Sequence, residues 1–197
     1  MKDLLREAVL DGNVPAVRRL ISEPQQFVDS EETDDDSAEY LAAEAGYGAI
    51  LETLLVSAKN IGSPYFEEVL NKNRTSDGTA RSTLLEIACE RGHRECVSVL
   101  LAHGARVTSE AVIAGYSDLA IIKALINADQ QAVIKARDLM GRTVLDLVEE
   151  TWASVKDEIA LLLLSIGATR RQTRTQSRHR HCRGVAPEIN IDTEEKE

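Results

Sequence analysis

The chain has 197 residues, of which 43% are hydrophobic and only 4% aromatic, and its formal net charge is −10. This length suggests one domain or one repeat array with a single sizeable core. No apolar run reaches the roughly 18 residues that span a bilayer, and the charged N-terminus is not a secretory signal. We therefore expect a cytoplasmic or nuclear protein, without membrane contact, whose three cysteines stay reduced.

The charge is unevenly distributed along the chain. Residues 169–197 hold seven basic against five acidic side chains, a balance of +2, which leaves −12 on residues 1–168. Such an acidic body disfavours nucleic acid and anionic membranes as partners. The balance favours a protein partner with a basic segment.

The first 36 residues combine a helical unit with an acidic stretch. Residues 3–22 predict two short helices about a turn at Gly12. Residues 23–36 contain seven carboxylates. Two interpretations of this stretch stay open, a solvated connection or a docking site for Lys or Arg side chains of a partner.

Residues 37–57 repeat the two-helix pattern with a turn at Gly46. The glycines Gly12 and Gly46 are 34 residues apart, whereas Gly46 and the next turn glycine, Gly92, are 46 apart. The array therefore contains an insertion of roughly a dozen residues, which we place within residues 58–80.

The insertion has a helical and a polar part. Pro64 suits the first turn of a short helix that ends at Leu70, and the polar residues 71–81 predict a loop. The adjacent aromatics Tyr65 and Phe66 either pack back on the array or form an aromatic anchor for a partner.

Residues 83–107 carry the clearest pattern, two apolar-periodic helices about a turn at Gly92. The pattern resembles the ankyrin repeat, T-P-L-H-L-A-A-x-x-G-H followed by an apolar helix and G-A-D-V. Its departures, Leu84, Glu86 and Arg106, are predicted to weaken the local caps. One such unit cannot bury its own apolar face, so the resemblance implies stacked copies. The matching residues are Thr83, Leu85, Ile87, Ala88, Gly92, His93, Glu95, Val97, Leu100, Leu101, Gly104, Ala105 and Val107.

Two further units follow. Residues 109–129 form a compressed fourth unit with its turn at Ser117, and we expect it to lack the hairpin loop, or finger, and the first cap of a full repeat. Residues 135–168 form a fifth unit, in which Asp138 and Gly141 predict a tight hairpin turn.

The predicted fold is thus all-α, an ankyrin-repeat solenoid of about five helix-turn-helix units over residues 1–168. Trp152 is predicted to cover its end. Residues 169–197 lack apolar periodicity and are predicted to form a disordered charged tail.

Motifs for enzyme chemistry are missing from the sequence. It contains no phosphate-binding glycine loop, nucleophile elbow or zinc-protease helix, and we predict neither catalysis nor a cofactor. Cys89 and Cys96 occupy apolar helix positions and are predicted core residues. His93 is expected to tie its turn to neighbouring backbone, and His103 to lie on the surface. The tail also contains His179, His181 and Cys182, residue types that bind soft metals, but it offers no fourth ligand, and we predict no metal site there.

The resemblance implies a non-enzymatic protein–protein interaction module, an adaptor, scaffold or inhibitor, that binds its partner on a concave surface. In the family this surface combines the finger tips with the two residues before each turn. We expect the array to be a monomer and its partner to carry a basic segment, because acidic residues recur at these positions. The predicted partner-binding residues are Asp11, Glu44, Glu90, Arg91, Tyr116, Leu139, Met140, Arg142 and Glu150.

A second function remains open, a nuclear or nucleic-acid-associated regulatory factor acting through the tail. Six arginines lie within residues 170–183, a density typical of localisation and phosphate-binding segments. Thr173 is a candidate phosphosite. We hypothesise that the unmodified tail folds back on Glu44 and Glu90 and that phosphorylation releases it.

Overall fold

The computed structural model describes residues 2–22, 37–72, 74–76, 80–150 and 155–171. Within these ranges the chain forms 12 helices and one two-stranded hairpin, and the predicted helical solenoid is confirmed. The acidic stretch 23–36, Trp152 and residues 172–197 lie outside the described residues. The elements are α1 (Lys2–Leu10), α2 (Val14–Ile21), α3 (Ala38–Ala45), α4 (Gly48–Ile61), α5 (Ser63–Asn71), β1 (Arg74–Ser76), β2 (Ala80–Ser82), α6 (Leu84–Glu90), α7 (Arg94–Ala102), α8 (Ser109–Gly115), α9 (Leu119–Ala128), α10 (Gln130–Lys135), α11 (Val144–Glu150) and α12 (Lys156–Ser165).

The helices pair into five antiparallel units, α1 with α2, α3 with α4, α6 with α7, α8 with α9, and α11 with α12. The first helices α1, α3, α6 and α8 pack side by side in one layer, and the second helices α2, α4, α7, α9 and α12 pack in the other. One continuous apolar core lies between the layers. Because each pair buries its apolar face only against its neighbours, the units depend on one another for burial.

Polar caps define where helices begin, and glycines define the turns. Asn13, Ser37 and Asp118 each accept a hydrogen bond from the backbone N–H three residues later, as helix N-caps do. Gly46 and Gly92 both have positive φ, at 81° and 73°, a conformation that favours glycine. The turns predicted at these two glycines are confirmed.

Two predictions about caps are wrong. Thr108 does cap the fourth unit, because its Oγ1 accepts a hydrogen bond from the Ala111 N–H at 3.1 Å. Glu86 strengthens its cap instead of weakening it. The Thr83 N–H donates to Glu86 Oε2 at 2.9 Å, and the Glu86 N–H donates to Thr83 Oγ1 at 3.3 Å, which is a complete capping box. The Thr108 hydroxyl also donates to Glu86 Oε1 at 2.6 Å and so joins units three and four.

The insertion adds a helix and a hairpin to the array. Helix α5 agrees with the predicted short helix and packs against α4. The loop predicted over 71–81 is wrong in part, since β1 pairs antiparallel with β2 with Thr75 opposite Arg81. Strand pairing satisfies backbone groups that a loop leaves to water. The hairpin leads directly into α6.

Helix α10, which the sequence pattern did not predict, lies between units four and five. Asp129 caps it by accepting the Ala132 N–H at 2.9 Å, and its buried Val133 belongs to the core between the layers. The Gln130 side chain donates to the Ile166 carbonyl at 3.1 Å. Unit five is therefore attached to unit four through α10 as well as through the packing of α12 on α9.

Candidate protein-interaction surface

The turns of the first three units lie side by side along one edge of the array, which we call the turn edge (residues 10–12, 44–47 and 90–93). His93 Nε2 lies 2.8 Å from the Glu44 carbonyl oxygen, which confirms the role predicted for His93. The Tyr47 hydroxyl donates to the Leu10 carbonyl at 3.4 Å. A tyrosine thus makes the same backward link in unit two that a histidine makes in unit three.

Four of the predicted partner-binding residues lie on the turn edge, namely Asp11, Glu44, Glu90 and Arg91. Asp11 and Glu90 are exposed, and within the described ranges neither takes part in an ion pair. Glu44 is half-buried, and its carboxylate is 2.6 Å from the Arg91 guanidinium. Glu44 and Arg91 therefore neutralise each other and join units two and three. Sequence reasoning placed both on the same surface but missed that they bind each other.

Tyr116 and the insertion aromatics differ in their exposure. Tyr116 is half-buried and packs against the core. Phe66 is only 8% exposed and meets the His103 ring edge to face at a centroid distance of 6.1 Å. Phe66 therefore packs on the array and cannot act as an aromatic anchor, and His103 is half-buried by this contact instead of lying free on the surface. Tyr65 stays exposed.

The fifth finger, residues 137–143, is a tight turn that confirms the prediction made from Asp138 and Gly141. Asp138 Oδ1 accepts the backbone N–H groups of Met140 at 2.9 Å and Arg142 at 2.7 Å. The Gly141 N–H donates to the Asp138 carbonyl at 2.9 Å, and Gly141 has a φ of 73°. One aspartate side chain thus fixes the backbone of the whole turn.

Arg142 connects the fifth finger to the end of α11. Its guanidinium is 2.7 Å from Asp138 and 2.5 Å from Glu150. Partial burial opposes ionisation of Asp138, but hydrogen bonds from the Arg142 side chain and backbone outweigh it and lower the pKa of Asp138. At the tip, Leu139 is fully exposed and Met140 is 70% exposed. The structure therefore brings together four predicted partner-binding residues of unit five.

After α12 the chain folds back on α11 and on the fifth finger of the same unit. The Arg170 guanidinium is hydrogen-bonded to the Glu149 carboxylate. The Arg171 N–H donates to Asp146 Oδ2 at 3.1 Å, and its guanidinium donates to the Met140 carbonyl at 2.8 Å. Sequence reasoning did not single out Asp146 or Glu149, because the link depends on how the chain turns after the last helix.

These contacts bear on the predicted role of the tail. Its first arginine contacts Glu149, not the expected Glu44 or Glu90, and Glu44 already binds Arg91. The candidate phosphosite Thr173 lies outside the described residues. The predicted release by phosphorylation stays a prediction.

The described cysteines belong to the core, as predicted. Cys89 and Cys96 are both buried. Burial, followed by the negative charge of Glu86, raises the pKa of the Cys89 thiol to about 12, and burial, followed by Glu95, raises the pKa of Cys96 to about 11. Both thiols are therefore uncharged near neutral pH and poor nucleophiles.

Neither a metal cluster nor a membrane span is seen in the part of the chain that the structure describes. No three His, Cys, Asp or Glu side chains of that part are grouped as metal ligands, and no helix in it has the length and apolar content to cross a bilayer. The tail residues considered as ligands lie outside it, namely His179, His181 and Cys182.

Comparison with known proteins agrees with this geometry. A search of curated proteins gives no match. The family model described as ankyrin repeats, three copies, matches residues 5–111, more than half of the chain. The match ends within α8, so units four and five are defined by the structure. Ankyrin repeats are generally protein–protein interaction modules and typically non-catalytic. The chain belongs to the ankyrin-repeat family.

Proposed function

We propose that the array is a non-enzymatic adaptor, scaffold or inhibitor that binds a protein partner through the first helices, the turn edge and the fifth finger. The fifth finger is the observation that carries this proposal. Leu139 and Met140 stand exposed on a turn whose backbone Asp138 fixes. Exposed apolar side chains on a preorganised turn are typical of binding surfaces, because little conformational entropy is lost when a partner covers them.

The charge of the array supports a partner with a basic segment. Residues 1–168 carry −12, and Asp11 and Glu90 are exposed at the turn edge without an ion pair in the described ranges. Complementary charge mainly accelerates association and sets its salt dependence. We expect Asp11→Asn combined with Glu90→Gln to slow association at low ionic strength more than at high ionic strength.

Affinity purification with the full-length protein tests the role of the fifth finger. The test variant is Leu139→Ala with Met140→Ala. The matched control is Leu161→Ala with Leu164→Ala, which removes two exposed leucines, at 67% and 51%, from α12. The proposal predicts that the finger variant loses partners that the wild type and the control retain. Identical partners for all three proteins would contradict it.

A second candidate function acts through the tail, whose six arginines within residues 170–183 favour nuclear import or phosphate binding. Arg170 and Arg171 contact unit five, which leaves four arginines for such a role. A peptide of residues 169–184 should then retain RNA or carry a reporter to the nucleus. If it does neither, the cytoplasmic interaction module is the better account.

A further inference from the structure

We propose that unit five carries a receptor site for a pair of consecutive basic residues, and that the chain's own Arg170 and Arg171 occupy it in the free protein. The site would accept a partner segment in which an arginine pair neighbours an apolar residue. This inference rests on the proposed function, since it assigns one part of the interaction surface and its regulation.

Three acceptors of unit five converge on the two arginines. The Glu149 carboxylate binds the Arg170 guanidinium, and the Met140 carbonyl accepts from the Arg171 guanidinium. The Asp146 carboxylate accepts the Arg171 backbone N–H. Unit five therefore binds both guanidinium groups and the Arg171 backbone N–H. Combined contacts to side chains and main chain of this kind are typical of the recognition of extended basic segments.

Unit three shows what an acidic residue three positions after the capping threonine does inside the array. Glu86 of α6 and Asp146 of α11 both cap their helix through a threonine three residues earlier. Glu86 has a second oxygen that binds the Thr108 hydroxyl of the following unit. Unit five is the last unit that the structure describes, and Arg171 takes the place of that neighbour on Asp146. The end of the array thus offers a ligand the acceptor that an interior unit offers to the next repeat.

The contacts of Arg170 and Arg171 are of a kind that a partner can displace. The Arg170 side chain is 67% exposed and its partner Glu149 is 37% exposed, and exposed ion pairs contribute little to stability. The Leu139 and Met140 side chains also remain exposed beside the Arg171 contact. A partner that adds an apolar residue to an arginine pair would therefore bury more surface than residues 170–171 do.

Displacement is opposed by the covalent connection. A tethered competitor acts at an effective concentration on the order of millimolar. The tail therefore weakens binding of a basic segment in trans, and removal of its two arginines strengthens it.

A peptide competition with the full-length protein tests this inference. The probe is a fluorescein-labelled peptide of residues 167–174, and a peptide with glutamine at both arginine positions is the negative control. Fluorescence anisotropy at low ionic strength should show at least threefold tighter binding to the Arg170→Ala/Arg171→Ala variant than to wild type. Adding Glu149→Gln to that variant should abolish the gain, and adding Glu110→Gln, an equal charge change on α8, should not.

Equal affinity of wild type and the double variant, or equal effects of the two glutamine substitutions, would overturn the inference. The backbone N–H of residue 171 can donate to Asp146 in the single variant Arg170→Ala and in the double variant alike, and only the single variant keeps the Arg171 guanidinium bond to the Met140 carbonyl. A circular dichroism spectrum of the double variant that matches wild type would separate competition from unfolding. If partner capture depends on Leu139 while peptide binding ignores Glu149, the proposed function stands and this inference fails. If peptide binding depends on Glu149 while partner capture does not depend on Leu139, the site for the basic pair stands and the proposed binding role of the fifth finger is refuted.

Discussion

Replacing Gly46 by alanine should destabilise the array more than the same replacement of Gly92, because only Gly46 lies against the neighbouring unit. Both glycines have positive φ. A Cβ added at Gly46 would lie 2.6 Å from Nδ1 of His93, whereas a Cβ at Gly92 would meet no atom within 4 Å. Alanine at Gly46 therefore displaces the His93 ring as well as straining its own backbone.

The two costs can be separated. Holding alanine in the left-handed region costs roughly 1–2 kcal/mol at either position. At Gly46 the ring must also move from its position 2.8 Å from the Glu44 carbonyl, and a lost hydrogen bond costs about 0.5–1.5 kcal/mol. We expect a loss of about 2–3 kcal/mol for Gly46→Ala and about 1–2 kcal/mol for Gly92→Ala. Gly92→Val should lie above Gly92→Ala, since a β-branched side chain is worse at positive φ.

Urea unfolding followed by far-UV circular dichroism measures these differences, and a double-mutant cycle assigns them. In a His93→Ala background the ring is gone, and Gly46→Ala should cost no more than Gly92→Ala does. A coupling of about 1 kcal/mol between Gly46 and His93 is the expected scale for residues in contact. If both glycine variants lose the same free energy of unfolding, or if Gly46 and His93 prove additive, the backward link is not holding the units together.

Three further outcomes are expected. Glu86→Ala should lower the free energy of unfolding by about 2–3 kcal/mol, since it removes a capping box and an inter-unit bond. Glu110→Ala, at an exposed position of α8, should change it by no more than about 0.5 kcal/mol. In a variant whose third cysteine is replaced by serine, Cys89 and Cys96 should react with a thiol reagent only at the rate of unfolding; rapid labelling of the folded protein would contradict their burial. Burial opposes ionisation of Asp118, but hydrogen bonds from an arginine and two backbone N–H groups lower its pKa below 3.8. Its stabilisation should therefore be complete above that pH and lost on further acidification; parallel acid-unfolding curves for wild type and Asp118→Asn would exclude this contribution.

The sequence predicted the repeated units well because a solenoid needs only local information. Turn glycines and apolar spacing located α3 with α4 and α6 with α7, and Asp138 with Gly141 located the fifth finger. Short elements escaped this approach. Helix α10 has six residues with one buried side chain, Val133, which is too few to show a period, although Asp129 before it was a readable cap. Strands of three residues, such as β1 and β2, are equally short.

The missed contacts depend on stacking between units, which no local pattern contains. Glu44 and Arg91 are 47 residues apart in sequence, and Phe66 reaches His103 only because α5 packs back on the array. The prediction that Glu86 weakens its helix cap was wrong for a different reason. Comparison with the family residue suggested a weaker cap, whereas Thr83 followed three residues later by a glutamate is itself the signature of a capping box.

The links along the turn edge all point backwards in sequence. The later unit contributes the side chain, Tyr47, His93 or Arg91, and the earlier unit provides the acceptor on Leu10 or Glu44. During synthesis the N-terminal part of a chain leaves the ribosome first. Each newly emerged turn therefore finds its acceptor already folded, and the first three units can close one after another while α8 to α12 are still being translated.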